Sequence, residues 1–445
     1  MTDWSEVPLE ALLSEKKNAI AMGPFGSRIK VENFVAEGVP VIKGGNLNAA
    51  FLDETDFDFL TKEKAEELKS SKAIAGDIVI THRGTIGQVG LIRANSKYRE
   101  YIVSQSQLKF TPSETKLDST FAYYFLKSPL GQHRLLMNSS QVGVPAIAKA
   151  TTSIKEILFP VPPLSDQKAI AHILGTMDEK IELNQKMNQT LEDIAKAIFK
   201  SWFVDFEPVR AKAEGRSTGL SPEISDLFPD ELMDSEIGEI PRGWNVQPLS
   251  DQISINPKYS LKKDTDAYFV EMKCLSESTA SVNEGYLRGF TSGSKFRRFD
   301  TLFARITPCL ENGKTGLLLN ASVSEVCWGS TEFIVLSPKD DQSPLFPYCW
   351  ARDENLRAAA VSSMTGSSGR QRVPNDFFDR YLVANPGSSV HKTFAKIADP
   401  IIKRIQVCEE EITTLSELRD TLLPKLISGE IRISDANKFL EEAGS

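Results

Sequence analysis

Three short stretches hold side chains suited to hydrogen-bonding planar or anionic groups in fixed geometry, and each has an answering stretch elsewhere. Thr81-His82-Arg83-Gly84-Thr85 is answered by Arg305-Ile306-Thr307, and Ser104-Gln105-Ser106-Gln107 by Ser330-Thr331-Glu332. Thr365-Gly366-Ser367-Ser368-Gly369-Arg370-Gln371-Arg372 is answered by Gln141-Val142-Gly143 and Lys149. A guanidinium forks onto guanine O6 and N7, and a Gln amide matches adenine N6 and N7. Arg83, Thr85, Ser104, Gln105, Gln107, Gln141, Lys149, Arg305, Thr365, Ser367, Ser368, Arg370, Gln371 and Arg372 are therefore candidate DNA contacts. Lys314 joins them as a cation, and the tight turn Gly23-Pro24-Phe25-Gly26-Ser27-Arg28 offers Ser27 and Arg28 to a backbone phosphate. The competing accounts are a solvated strand-end arginine, one exposed face of a strand, a flexible Gly/Ser loop, and a turn that only shapes its domain.

Catalytic constellations are weaker. Asn256-Pro257-Lys258-Tyr259 resembles the loop in which adenine methyltransferases hold a flipped base, but Lys258 stands where a second proline belongs. No Gly-rich turn for S-adenosylmethionine lies nearby, and a turn leading into a strand is the better reading. Asn312-Gly313-Lys314-Thr315 has the last triplet of a P-loop, yet Pro308 occupies the place of its first glycine. His82, His133, His172 and His391 lack metal-ligand spacing, and none of the 5 cysteines forms a CxxC pair. The chain is expected to be a non-enzyme, with no catalytic residue, no metal site and no bound cofactor; only a triad assembled in space stays open.

Apolar residues make up 41% and charged residues 25% of the 445, ordinary for a soluble globular protein with two or three domains. No apolar run approaches the roughly 18 residues of a membrane span, and Met1-Thr2-Asp3 is unlike a signal peptide. A reduced, cytoplasmic protein without membrane contact is expected. The net charge of -8 is unevenly spread: residues 1–163 carry 19 basic and 18 acidic side chains, 241–387 carry 17 and 16, and 206–240 carry 3 and 9. Each globular copy is thus near neutral, so overall charge neither supports nor excludes a nucleic acid; one basic face per domain would decide it.

The elements that must position these residues are themselves duplicated. Gln167-Lys168-Ala169-Ile170 aligns with His391-Lys392-Thr393-Phe394, 224 residues later, without a gap to Ile198 opposite Leu422. Phe121-Ala122-Tyr123-Tyr124-Phe125 answers Phe346-Pro347-Tyr348-Cys349-Trp350, and Trp4…Pro8-Leu9 answers Trp244…Pro248-Leu249. Ile78-Val79-Ile80 and Val89-Gly90-Leu91-Ile92 read as short strands, Lys62 to Lys72 as a charged helix, and Phe121 to Asn138 as an apolar one. From about Ser165-Asp166 a heptad seam runs through Ile170, Met177, Asn184, Leu191, Ile198 and through Leu174, Ile181, Asn188, Ala195, Trp202. The second seam holds Phe394, Ile401, Cys408, Leu415, Leu422 and Ala398, Ile405, Ile412, Arg419, Leu426. Roughly 38 residues of helix span on the order of 57 Å. The expected fold is mixed α/β: two globular domains (1–163 and 241–387) separated by two long helices (164–205 and 388–428) paired as an antiparallel coiled coil. The two copies are expected to be related by a pseudo-two-fold, with an acidic linker at 206–240 and a frayed tail at 429–445.

Several strings carry a family resemblance: Phe159-Pro160-Val161-Pro162-Pro163-Leu164-Ser165-Asp166-Gln167-Lys168-Ala169-Ile170-Ala171, Phe199-Lys200-Ser201-Trp202-Phe203-Val204-Asp205-Phe206-Glu207-Pro208-Val209, Pro241-Arg242-Gly243-Trp244, and Leu422-Leu423-Pro424-Lys425-Leu426-Ile427-Ser428-Gly429. In order and spacing the chain resembles the DNA specificity subunit of type I restriction–modification systems over essentially its whole length. The second junction departs, with Asn385-Pro386-Gly387-Ser388 where the first has Val161-Pro162-Pro163-Leu164. The resemblance implies target recognition domains that each read half of a split sequence in double-stranded DNA, and helices that fix the gap. It implies two methyltransferase partner subunits using S-adenosylmethionine, and restriction subunits using ATP and Mg as further partners. His172, Trp202, Phe203 and Phe394 are the candidate partner contacts on the helices.

Overall fold

Pro160, Pro162 and Pro163 end the first globular region, and the chain then enters a 40-residue helix, Leu164–Phe203. A 41-residue helix, Ser388–Ser428, follows the second region. The computed structural model describes residues 4–140, 143–283, 285–320, 324–339, 341–367 and 369–433; the expectation for the end of the tail lies outside them. By compactness the chain forms two units, Met1–Glu182 with Thr413–Ser445, and Leu183–Ile412. Each unit contains a stretch of both long helices.

Within each unit the two helices run antiparallel. In the first, Asp178 meets Arg419, and Leu174 and Met177 share a core with Leu422 and Leu426. In the second, Asn184 donates to Glu411 at 2.9 Å, Asn188 donates to Glu409 at 2.7 Å, and Phe199 and Phe203 pack on Phe394. Partner numbers fall as the first helix advances. Most predicted seam positions are buried, among them Ile170, Leu174, Ala195, Ala398, Ile405 and Cys408.

The globular part of each unit repeats three sheets. The first unit orders Ile20–Met22, Gln107–Phe110, Ile78–Thr81 and Val89–Leu91 in one antiparallel sheet. The second orders Ser254–Ile255, Phe333–Ser337, Thr301–Ala304 and Thr315–Leu317 in the same way. The next sheet in each contains a parallel pair, Val39–Ile42 with Tyr101–Val103 and Asp266–Val270 with Cys327–Gly329. A two-stranded ribbon (Ser5–Pro8 with Leu158–Val161, Asn245–Pro248 with Leu382–Asn385) ties the start of each region to its end, beside the long helix.

Three local expectations change. The helix from Phe121 onward is two, Ser119–Lys127 and Pro129–Leu136, because Pro129 keeps Ser128 extended and the Ser128 hydroxyl caps the second at Gly131 N–H. The charged helix stops at Glu67, and Lys72 already belongs to a strand. The acidic segment 206–240 is folded onto the second unit, with a helix at Glu207–Ala213 and a hairpin of Leu232–Ser235 with Gly238–Pro241. Phe206, Val209, Phe228 and Ile240 are buried there, and Phe228 lies edge-on to Trp202 at 5.1 Å. Charge counting averages over such a segment and hides its apolar stripe.

A buried carboxylate on the first long helix fastens each globular region. Asp178 accepts from Tyr124 Oη at 2.7 Å and from Arg419 Nη1 at 2.6 Å. Glu192, 1% exposed, accepts from Tyr348 Oη at 2.8 Å and from the Ala280 N–H at 2.9 Å, and burial raises its pKa. At the first junction Gln167 is also buried: its amide donates to Pro162 O and Lys116 O and accepts from Asp118 N–H. The aligned His391 instead stacks on Phe203 at 5.5 Å, where burial pushes its pKa down to about 4. Tyr348→Phe strips one donor from Glu192 and is expected to cost about 1–3 kcal/mol, read as a lower urea midpoint. Tyr286→Phe, on an exposed strand, is the control and should stay within about 0.5 kcal/mol.

Candidate nucleic-acid interface

In the first unit three loops meet at one end of the sheet that holds Ile78–Thr81 and Gln107–Phe110. His82 N–H donates to Ser106 O at 2.9 Å, Gly84 N–H to Pro145 O at 2.8 Å, and Ile147 N–H to His82 O at 2.9 Å. Those bonds join the loops at 82–87, 104–106 and 143–149. Beneath them runs a polar chain: Ser104 Oγ donates to Gln107 Oε1, Gln107 Nε2 to Thr81 Oγ1 at 3.1 Å, and Thr81 Oγ1 to Gln88 Oε1 at 2.9 Å. Satisfied buried polar chains of this kind hold loops in one arrangement. His82 is buried among them, which lowers its pKa and favours the neutral ring.

The second unit repeats the convergence. Arg305 N–H donates to Glu332 O at 3.0 Å, Thr307 N–H to Gln371 O at 3.1 Å, and Val373 N–H to Arg305 O at 2.9 Å. Thr365 and Arg372 exchange backbone hydrogen bonds at 3.0 and 2.9 Å, closing the Gly/Ser loop on itself. Lys314, half-buried, accepts through its carbonyl from Ala304 N–H at the end of the central strand.

All three pairs of sequence stretches are therefore brought together, one set per unit. Arg28, Arg83, Thr85, Gln105 and Lys149 are exposed in the first, and Thr365, Ser367 and Arg370 in the second. Arg83 and Lys149 line one open recess of about 490 Å³ with Met22 and Val144. Ser27 sits in the one-turn helix Gly26–Arg28, and Ser104 and Gln371 are half-buried. Gln141 and Ser368 lie outside the described residues.

Other candidates are committed elsewhere. Gln107 is 1% exposed and belongs to the supporting chain, so it cannot present its amide to a ligand. Arg305 donates to Asn375 Oδ1 and Val373 O, stitching two loops together. Arg372 forks onto Glu332, with Nε and Nη2 at 2.7 to 2.9 Å from its oxygens, and this pairing raises its pKa. On the helices, Trp202, Phe203 and Phe394 are each buried to 2% exposure or less in the second unit's own core. They hold that core and have no face for a partner; His172 is exposed. Sequence reasoning named these residues by type, and type does not reveal which side of a turn faces in.

The remaining chemical suggestions also receive structural roles. Asn256 Oδ1 accepts from Val335 N–H at 2.9 Å while its own N–H donates to Val335 O at 2.8 Å, so the residue extends a sheet. Tyr259 is covered by Arg297, 4.6 Å from its ring centre, and its hydroxyl meets Asp300 and Ser337 at 3.3 Å. Among the described residues no group of His, Cys, Asp and Glu is arranged to hold a metal, and no helix is long and apolar enough to cross a membrane. Sequence reasoning passed over Phe25 as a contact, although an aromatic between Pro24 and Gly26 in a tight turn is a signal of display; it is 62% exposed.

Residues 26–193 match the family model described as the type I restriction modification DNA specificity domain. The MjaIX specificity subunit of Methanocaldococcus jannaschii is 24% identical over 411 residues, covering 86% of each chain. The HindI specificity subunit of Haemophilus influenzae is 26% identical over 63% of this chain and 70% of its own length. The crystal structure of the type I restriction-modification S subunit from M. genitalium shares the fold, with a TM-score of 0.55 at 16% identity, over 95% of this chain and 96% of that one. With its duplicated loop clusters and paired long helices, the chain is similar to type I restriction–modification DNA specificity subunits, the family model covering residues 26–193 of its 445.

Proposed function

We propose that this chain gives a type I restriction–modification complex its sequence specificity, each globular region reading one half of a bipartite DNA target. The observation that carries this is the repeated convergence of three hydrogen-bonding loops on the end of an equivalent sheet. Side chains held on such a scaffold lose little freedom on binding, and base-edge readout requires that fixity. Arg83, Gln105 and Lys149 serve the first half-site, and Arg370 with Thr365, Ser367 and Gln371 the second. The chain itself does no chemistry in this reading and binds no cofactor. S-adenosylmethionine is used by two methyltransferase partners, and ATP with Mg by restriction subunits where these join. The structural use of Asn256 and Tyr259 favours this over methyl transfer by the chain itself.

With Trp202, Phe203 and Phe394 in the core, partner docking on the helices falls to their outer faces. Leu183 and Ile194 are 54% and 45% exposed. They lie 11 residues apart, about three turns, which puts them on one face. Val407 on the second helix is 49% exposed. A contiguous exposed apolar face marks a partner site, and these are the helix positions from which such a face would be built. Leu183→Glu with Ile194→Glu should abolish co-purification of the methyltransferase while circular dichroism stays unchanged; full retention of the partner would place docking elsewhere.

The test of the function is a methylome of cells expressing the neighbouring methyltransferase gene with and without this chain. A split motif methylated on adenine only when the chain is present is expected, and unchanged methylation with both proteins present would refute the reading. Arg370→Ala should then weaken binding about 10- to 100-fold through the second half-site alone, consistent with one good base contact. Arg372→Ala, which frees Glu332, should also lower the thermal midpoint. Equal loss on random DNA would make Arg370 a phosphate contact instead.

A further inference from the structure

Phe25 is held out into solvent by a turn with little freedom to do otherwise. Gly23 N–H donates to Gln107 O at 2.9 Å, and a Cβ on Gly23 would come within 1.8 Å of the Ser104 carbonyl oxygen. Pro24 fixes the next φ, Phe25 is extended (φ -78, ψ 150), and Gly26 turns at φ +67, the region that favours glycine. The turn therefore rides on the Ser104–Gln107 loop. Between them lies a recess of about 330 Å³, with Ile29, Phe34 and Val41 supplying apolar wall and Gln105 and Ser106 a polar edge. Arg28 stands exposed at the end of the turn.

The second unit places Asn256 to Tyr259 after the equivalent strand, Ser254–Ile255, and there the aromatic is covered by Arg297 and its hydroxyl is bonded. One unit displays an aromatic beside its reading loop, and the other tucks its aromatic away.

We propose that Phe25 enters the base stack of the half-site read by the first unit, and that the adjoining recess receives the edge of the base it displaces. The inference rests on the specificity reading above and adds a deformation step to it. An apolar wedge unstacks a base step at a cost of a few kcal/mol and is stabilised by the stacking and contacts it gains. Arg28 lies where a cation would hold the flanking phosphate. Such a wedge selects for an easily opened pyrimidine–purine step without reading hydrogen bonds, so the two half-sites are recognised by different means.

The test uses the complex of this chain with its methyltransferase subunits, and duplexes containing the motif found in the methylome. 2-Aminopurine replaces adenine, or pyrrolocytosine replaces cytosine, at successive positions of both half-sites. Away from the methylated adenines, which the methyltransferase subunits themselves turn out of the stack, binding should brighten the probe at one step of the first half-site and at none of the second. Phe25→Ala should lose the brightening and weaken binding by about tenfold or more, and Phe25→Trp should keep both. A complex that binds and methylates its motif while every probe away from the methylated adenines stays dark, or that brightens equally there with Phe25→Ala, overturns the wedge and leaves the specificity reading standing. Finding no methylated motif at all overturns both.

Discussion

Two buried carboxylates on one helix set the terms for everything attached to it. A carboxyl removed from water must be hydrogen-bonded or it is destabilising, and Asp178 and Glu192 are 2% and 1% exposed. Their donors come from elsewhere in the fold. Asp178 takes a tyrosine from its globular region and an arginine from the other long helix, and Glu192 takes a tyrosine and a backbone N–H from its own. Directional bonds in a dry setting fix angle as well as contact. Each globular region is therefore seated on its stretch of the helix in one orientation, and its loops inherit that orientation.

The same economy recurs at the loops. Side chains of the reading type divide into those that build the platform and those that stand on it. Gln107, Arg305 and Arg372 spend their donors on neighbouring loops, and Arg83, Gln105 and Arg370 remain exposed. Rigidity has to come from such sacrifice, because backbone turns at a sheet end have few other partners. A rigid polar surface therefore needs polar side chains beneath it as well as on it.

This division explains what could be read from sequence and what could not. The long helices were legible because a heptad seam is local and periodic: the structure has them at Leu164–Phe203 and Ser388–Ser428, against 164–205 and 388–428 from the pattern. The three loop pairs were legible because duplication aligned them. The inward or outward sense of Gln107, Trp202 or Phe394 was hidden, since it depends on contacts made across dozens or hundreds of residues. Phe206, Val209 and Phe228 were hidden by the acidic residues around them, although they join the core of the second unit. Nothing in the residue types distinguished Arg370 from Arg372; only the position of Glu332 does.

Asn184 and Asn188 bond to Glu411 and Glu409 across a seam that is otherwise mostly apolar apart from the Asp178–Arg419 pair. A hydrophobic seam alone tolerates sliding, since one heptad resembles the next. Here a slip of one heptad would set both amides against the wrong residues and strand them in an apolar setting. The polar pairs therefore fix the register of one helix against the other. Length changes in either helix cannot be absorbed by creep along the seam and must be met by a matching change in the other.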